Sequence, residues 1–225
     1  MILDDKRVRI VIGHYGSGKT EFSVNYAVKL AELGKKVALV DLDVVNLYFR
    51  SREKESILEK KGIRVIGSSI KGTGVDLPAI SGAVETPLQD ESYDAVFDIG
   101  GDPAGARVLG RYVDFLEKDD YDMFFVLNAY RPETQNLEAV KSYIRKIEDT
   151  ARAHVTGIVN NTHMLKSTTV EDVINGYNLA KKVSDDTGLP IIYNVCLESL
   201  VEELPKEIKA NAFPIKLYMR EEWML

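Results

Sequence analysis

Short runs of β-branched and apolar residues recur along the chain, and stretches with a helical period lie between them. The runs cover 8–12, 36–40, 95–97, 123–127, 155–159 and 190–195, with a weaker one at 63–66. Apolar runs of this length, bounded by glycine or polar residues, read as strands. Residues 20–33 carry Phe22, Val24, Ala27 and Leu30, and Gly34 stands as a C-terminal stop. Residues 137–151 place Val140, Ile144 and Ile147 at the i, i+4, i+7 spacing of one helix face. Residues 170–187 run into Gly188-Leu189-Pro190, a helix stop followed by the next strand.

Strand-then-helix alternation requires crossover connections. It predicts an α/β fold with a mostly parallel central sheet flanked by helices on both faces, a three-layer αβα arrangement. No repeat at a fixed period and no linker-like stretch interrupts it, so one domain over residues 1–225 is expected, with 200–225 as a C-terminal extension. Five of the strands end in glycine or a polar residue: Gly13, Asp41, Asp98, Asn128 and Asn160. Ligands of open α/β sheets bind outside the carboxyl ends of the strands, so these five residues should share one edge. The plainer alternative is that each Asp or Asn caps the next helix.

Composition narrows the class. At 225 residues, 45% hydrophobic and 28% charged, the chain is near the mean for soluble globular domains and long enough to bury its own core. A net charge of −6 argues against an electrostatic nucleic-acid binder, and no nucleic-acid partner is expected. Cys196 is the only cysteine, which excludes an internal disulfide and a cysteine-rich metal or iron–sulfur site within one chain. His14, His154 and His163 have no metal-ligand spacing between them. The N-terminus lacks the pattern of a signal peptide and no run approaches a membrane span, so a cytoplasmic address is expected.

The strongest chemical signal is Gly13-His14-Tyr15-Gly16-Ser17-Gly18-Lys19-Thr20, a complete G-x-x-x-x-G-K-[ST] phosphate loop after a strand and before a helix. Glycines let backbone N–H groups wrap a phosphate tail, and the helix presents its positive end to the anion. Lys19 is placed to reach the β- and γ-phosphates, and the Thr20 hydroxyl to ligate Mg²⁺. Glu21 follows directly and completes the predicted nucleotide-binding set.

The acids at the strand ends extend this site. Asp98, after an apolar strand, has the pattern of a Walker B aspartate that holds Mg²⁺ directly or through water. Ile99, Gly100 and Gly101 behind it, together with Asp41, are candidate switch residues, since a glycine there lets a backbone N–H approach a γ-phosphate. Asp41 and Asp43, at i and i+2, put two carboxylates on one side of an extended segment. Either is suited to orient a water for in-line attack. Arg50, Arg52 and Arg107 are available to neutralise phosphate charge.

These blocks together resemble the MinD/ParA/ArsA branch of P-loop ATPases, also called the CobQ/CobB/MinD/ParA nucleotide-binding proteins. The resemblance is carried by the phosphate loop, by Asp41-Leu42-Asp43 and by Asp98-Ile99-Gly100-Gly101, all within residues 8–101. It implies a P-loop NTPase fold, Mg-ATP binding, slow hydrolysis and often an ATP-dependent homodimer. It also implies that Asp43 is the water-orienting residue, a metal-site acid and, with Lys19, catalytic. A base-reading Asn at the end of a later strand is implied too, a place that Asn160 and Asn161 both fit. One departure is that His14, followed by Tyr15, stands where the family carries an extra lysine. The chain also lacks Asn-Lys-x-Asp, the guanine signature, which favours ATP over GTP.

The function expected is a Mg-ATP-binding switch acting on an unidentified protein partner. The alternatives are a kinase or ligase for a small acceptor, with Tyr48, Arg50, Arg52 and Asp76 near it, and a nucleotide sensor that barely hydrolyses. The apolar tail 213–225 has balanced charges, Lys216 and Arg220 against Glu221 and Glu222, and is expected to pack on the domain or a partner.

Overall fold

The computed structural model describes residues 2–43, 54–67, 82–116 and 120–219. Among them, eight strands form one sheet: β1 (Val8–Ile12), β2 (Val37–Leu42), β3 (Ile63–Gly67), β4 (Asp94–Ile99), β5 (Tyr121–Leu127), β6 (Gly157–Asn160), β7 (Ile191–Leu197) and β8 (Ala212–Ile215). Their order is β3-β2-β4-β1-β5-β6-β7-β8, and every neighbouring pair is parallel. The helices are α1 (Lys19–Glu32), α2 (Glu55–Lys60), α3 (Thr86–Gln89), α4 (Pro103–Ala106), α5 (Val113–Leu116), α6 (Leu137–Ala151), α7 (Val170–Thr187) and α8 (Lys206–Lys209).

Alternate strand residues feed two cores, one on each face of the sheet. Ile10, Ile12, Phe97 and Phe125 pack with Val140, Ile144 and Ile147 of α6 and Leu179 and Val183 of α7. Val11, Val96, Phe124 and Val126 pack on the other face with Phe22, Tyr26 and Leu30 of α1. Strands covered on both sides explain why the apolar runs are nearly continuous rather than alternating. The sheet flanked by helices is the α/β arrangement that the alternation predicts.

Arg9 interrupts the apolar run of β1 and is nonetheless buried, paired with Asp94 at the start of β4. Its guanidinium also donates to the carbonyls of Arg7 at 3.0 Å and Asp5 at 3.1 Å, as a buried charge requires. β8 lies at the sheet edge, where Pro214 costs no ladder bond. Phe213 ties it inward: its ring lies 5.0 Å from both Phe22 and Tyr193 and stacks on Tyr26 at 5.8 Å. The apolar tail, expected to pack on the domain or a partner, packs on the domain as far as the buried Met219.

β1 sits where the strand order changes direction, with β4 on one side and β5 on the other. Crevices at such points, beyond the carboxyl ends of the strands, are where doubly wound sheets bind ligands. Register brings Asp41 level with Asp98, Val11 level with Asp98, and Asn160 level with Asn194. Among the described residues no helix is long and apolar enough to cross a membrane.

Candidate functional site

The glycine-rich loop leaves β1 at that point and turns into α1. Ser17 N–H donates to the His14 carbonyl at 3.1 Å, closing the loop on itself. Gly18 is the N-cap of α1 at φ +84°, a left-handed backbone that glycine adopts without strain. A side chain there would also meet Asn161 Nδ2 at 2.3 Å. As the N-cap, Gly18 brings no side chain to bond the first turn of α1, which leaves its N-terminal amides to an anion.

Lys19 is buried and folds back so that Nζ donates to the His14 carbonyl at 3.2 Å. Burial holds its ammonium below the usual lysine range, against the pull of Asp98, Asp43 and Asp102 nearby. Asp98 is buried as well, and burial, then the Asp41 carboxylate, pushes its carboxyl up to about 7. The Thr20 side chain lies close enough to that carboxylate to pull its pKa back down in part, and Ser23 Oγ lies 3.4 Å from Oδ1. Among the described residues, Asp98 Oδ2 and Ser17 Oγ are buried with no hydrogen-bond partner. Buried oxygens of this kind call for an explanation, and a bound ion or ligand beside the loop supplies one.

The donor set fits a hard divalent cation. Thr20 and Asp98 meet at the loop, and the orphaned Asp98 oxygen offers a coordination place. Among the described residues no cluster of three His, Cys, Asp or Glu is placed to hold a metal alone. An ion held here would complete its shell with phosphate oxygens and water, the usual habit of Mg²⁺.

The two acids after β2 take different places. Asp41 accepts the Asp43 amide at 3.1 Å and stands beside Asp98, whereas Asp43 reaches the cavity in front of the loop. Gly100 and Gly101 bring the chain after β4 against both acids and loop. A Cβ on Gly101 would lie 2.7 Å from Tyr15 N and 2.8 Å from Lys19 Nζ, and one on Gly100 3.2 Å from Asp43 Oδ1. The Tyr143 hydroxyl of α6 donates to the Gly101 carbonyl.

The cavity measures about 420 Å³. Tyr15, Lys19, Thr20 and Asp43 line its polar end, and Met164, Val195, Cys196 and Leu197 line an apolar arm. Burial pushes the Cys196 thiol up to about 11, so it serves there as a small apolar group. Neighbouring residues of extended backbone point to opposite sides. Asn160 turns inward, its Nδ2 donating to the Val173 carbonyl at 3.0 Å and Asn194 Oδ1 at 3.2 Å. Asn161 lines the cavity and donates to the Ser17 carbonyl at 2.7 Å, so of the two asparagines it alone faces the loop.

The His14 ring packs edge-on against Tyr143 at 5.4 Å, with Nε2 3.4 Å from Glu133, and its carbonyl rather than its ring serves Lys19. Glu21 accepts the amides of Tyr218 at 2.6 Å and Met219 at 3.2 Å. Asn25, one turn later, donates to the Lys216 carbonyl at 2.8 Å and accepts its amide at 2.9 Å. Segment 216–219 thereby becomes a wall of the cavity, which nothing in its composition announces. Arg107 is exposed on a turn after α4. Tyr48, Arg50, Arg52, Asp76, Arg220, Glu221 and Glu222 lie outside the described residues.

Among solved structures, the chain is similar to FtsY of Thermotoga maritima, with a TM-score of 0.56 and 21% identity over 83% of this chain and 60% of that one. Chloroplast FtsY of Physcomitrella patens gives 0.56 at 18% identity, covering 83% and 57%. FtsY of Mycoplasma mycoides gives 0.53 at 17%, covering 82% and 58%. The chain thus spans less than two thirds of each, and the likeness is one of fold. No curated protein matches the chain. The model of the CobQ/CobB/MinD/ParA nucleotide-binding domain matches residues 9–205. With its phosphate loop, paired strand-end acids and parallel sheet, this chain belongs to the CobQ/CobB/MinD/ParA nucleotide-binding family of P-loop NTPases.

Proposed function

We propose that the protein is a Mg-ATP-binding ATPase that works in the cytoplasm as a nucleotide-dependent switch on a protein partner, a second copy of the chain being one candidate. The observation that carries this reading is the close approach of Gly101 to Tyr15 and Lys19, where even a Cβ would lie 2.7 Å from Tyr15 N and 2.8 Å from Lys19 Nζ. Those are the groups that grip a terminal phosphate, so its arrival must displace the segment after β4, and its loss lets the segment return. Tyr143 then passes the displacement to α6 through its bond to the Gly101 carbonyl.

In this reading the loop amides and Lys19 bind the phosphates, and Thr20 and Asp98 hold Mg²⁺, which neutralises charge developing on them. Asp43, at the polar end of the cavity, orients the attacking water. The base lies in the apolar arm beside Asn161. Two features support adenine: the chain lacks Asn-Lys-x-Asp, and the cavity-lining acid nearest the tail, Glu21, is engaged by the amides of 218 and 219.

Phosphate release from ATP and GTP, with calorimetric binding of each, tests the reading. Slow ATP turnover is expected. Lys19→Ala should abolish binding while the fold persists, and Asp43→Asn should bind ATP but fail to release phosphate. Rapid hydrolysis without any partner, or micromolar ATP affinity in Lys19→Ala, would overturn it.

A further inference from the structure

We propose that Arg131 is a second phosphate-binding cation of this site, taking the tail of a nucleoside di- or triphosphate together with Lys19. The inference rests on the nucleotide-binding reading above and adds a residue that lies far outside the loop motif in sequence.

Arg131 sits on a tightly held turn after β5. Its amide donates to the Asn128 carbonyl at 3.1 Å, and Thr134 N donates to the Arg131 carbonyl at 2.9 Å. Thr134 Oγ1 donates to the Asn128 carbonyl at 2.8 Å, with both residues fully buried. From this turn the side chain crosses the phosphate loop. Nε donates to the Gly16 carbonyl at 2.9 Å, and Cζ and Nη2 lie 3.1 and 3.3 Å from where a Gly16 side chain would begin. Arg131 lines the cavity together with Tyr15, Gly16 and Gly18.

Charge makes the placement informative. The Lys19 ammonium already lies among Asp43, Asp98 and Asp102, so acids answer much of its charge before any anion arrives. A triphosphate tail brings several further negative charges. Among the described residues no carboxylate pairs with Arg131, whose terminal nitrogens are left over once Nε has bonded the loop. A guanidinium with its fork uncommitted beside an anion-binding loop suits phosphate oxygens better than a point charge does.

A purely structural role, bracing the Gly16 carbonyl, is the competing account. Arg131→Gln separates the two, since Gln can place an amide N–H where Nε stands but carries no charge. The experiment is titration calorimetry of AMP, ADP and ATP with Mg²⁺ on wild type, Arg131→Ala, Arg131→Gln and Arg131→Lys, with thermal melting of each free protein. Both neutral variants should lose roughly 10- to 100-fold in ADP and ATP affinity, the range of a charge-assisted bond, and under about 3-fold for AMP. Lys should restore part of the loss, since it supplies the charge without the fork, and melting should stay near wild type. Wild-type ADP and ATP affinity in Arg131→Gln would overturn the proposal, as would an equal loss for AMP. Those results leave wild-type binding and its loss in Lys19→Ala intact, so they do not touch the nucleotide-binding reading. Wild type that binds no nucleotide would sink both.

Discussion

Asp98 is a carboxylate that water does not reach, with Asp41 beside it and one oxygen unsatisfied. In the unfolded chain it titrates near 3.8; in the fold, near 7. Below pH 4 it is protonated in both states and contributes no penalty. Between 4 and 7 the folded state holds a proton that the unfolded state has released, so stability falls as pH rises. Above 7 the penalty is complete, at a ceiling of roughly 4 kcal/mol. Asp98→Asn removes the charge and keeps the shape. Urea unfolding in chelator should therefore find this variant about 2–4 kcal/mol more stable than wild type at pH 8, and nearly equal to it at pH 4. With Mg²⁺ and nucleotide present the order should reverse, because the amide cannot hold the cation. A variant no more stable than wild type at pH 8 would mean that Asp98 is solvated or paired. Much of this site was legible at the residue scale, since phosphate chemistry imposes residue types at fixed spacing on one continuous stretch. Asn160 and Asn161 were not separable, because neighbours on a strand face opposite ways and only the sheet decides which side holds the loop.

At the scale of elements, α7 carries a conflict that decides a prediction. Thr169 and Asp172 form a capping box at its start, and Gly188 closes it at φ +79°. Gly176, in the middle, breaks the rule that helix interiors avoid glycine, and Ala there ordinarily gains up to about 1 kcal/mol. Here a Cβ would lie 2.1 Å from Asn160 Oδ1 and 2.2 Å from Thr162 Oγ1, atoms already bonded to Thr162 N and Ala129 N. Overpacking of this kind costs about 1–3 kcal/mol, and breaking buried bonds adds to it. Gly176→Ala should therefore destabilise by about 2 kcal/mol net in thermal or urea melts, and weaken nucleotide binding by moving the end of β6. A stabilised variant would show that α7 does not press on that strand. The long elements were readable because fully apolar runs and 3.6-residue periods are strong signals. β8 was not, since Ala212-Phe213-Pro214-Ile215 is short, contains proline and owes its place to the rings of Phe22, Tyr26 and Tyr193. Four-residue helices such as α4 and α5 span about one turn and so carry no period to detect.

Across the whole molecule, segments far apart in sequence meet at the site. α1 starts at the phosphate loop, and its Glu21 and Asn25 hold segment 216–219 as a cavity wall nearly two hundred residues away. Two effects of Glu21→Ala oppose each other. Removing a carboxylate near the phosphate end favours an anion electrostatically, whereas freeing the amides of Tyr218 and Met219 loosens the wall on which the apolar arm depends. A charge-assisted hydrogen bond contributes about 1.5–3 kcal/mol, enough for the second effect to govern whatever occupies that arm. The two separate by ligand. Tripolyphosphate, which has no base, should bind Glu21→Ala as well as or better than wild type, and ATP should bind roughly 10-fold more weakly, matching about 1.4 kcal/mol. Asn25→Ala should repeat the loss for ATP with no change of charge, and exchange of the 216–219 amides should quicken in both variants. Equal changes for the two ligands would place the base elsewhere and leave the C-terminal wall without a part in recognising it.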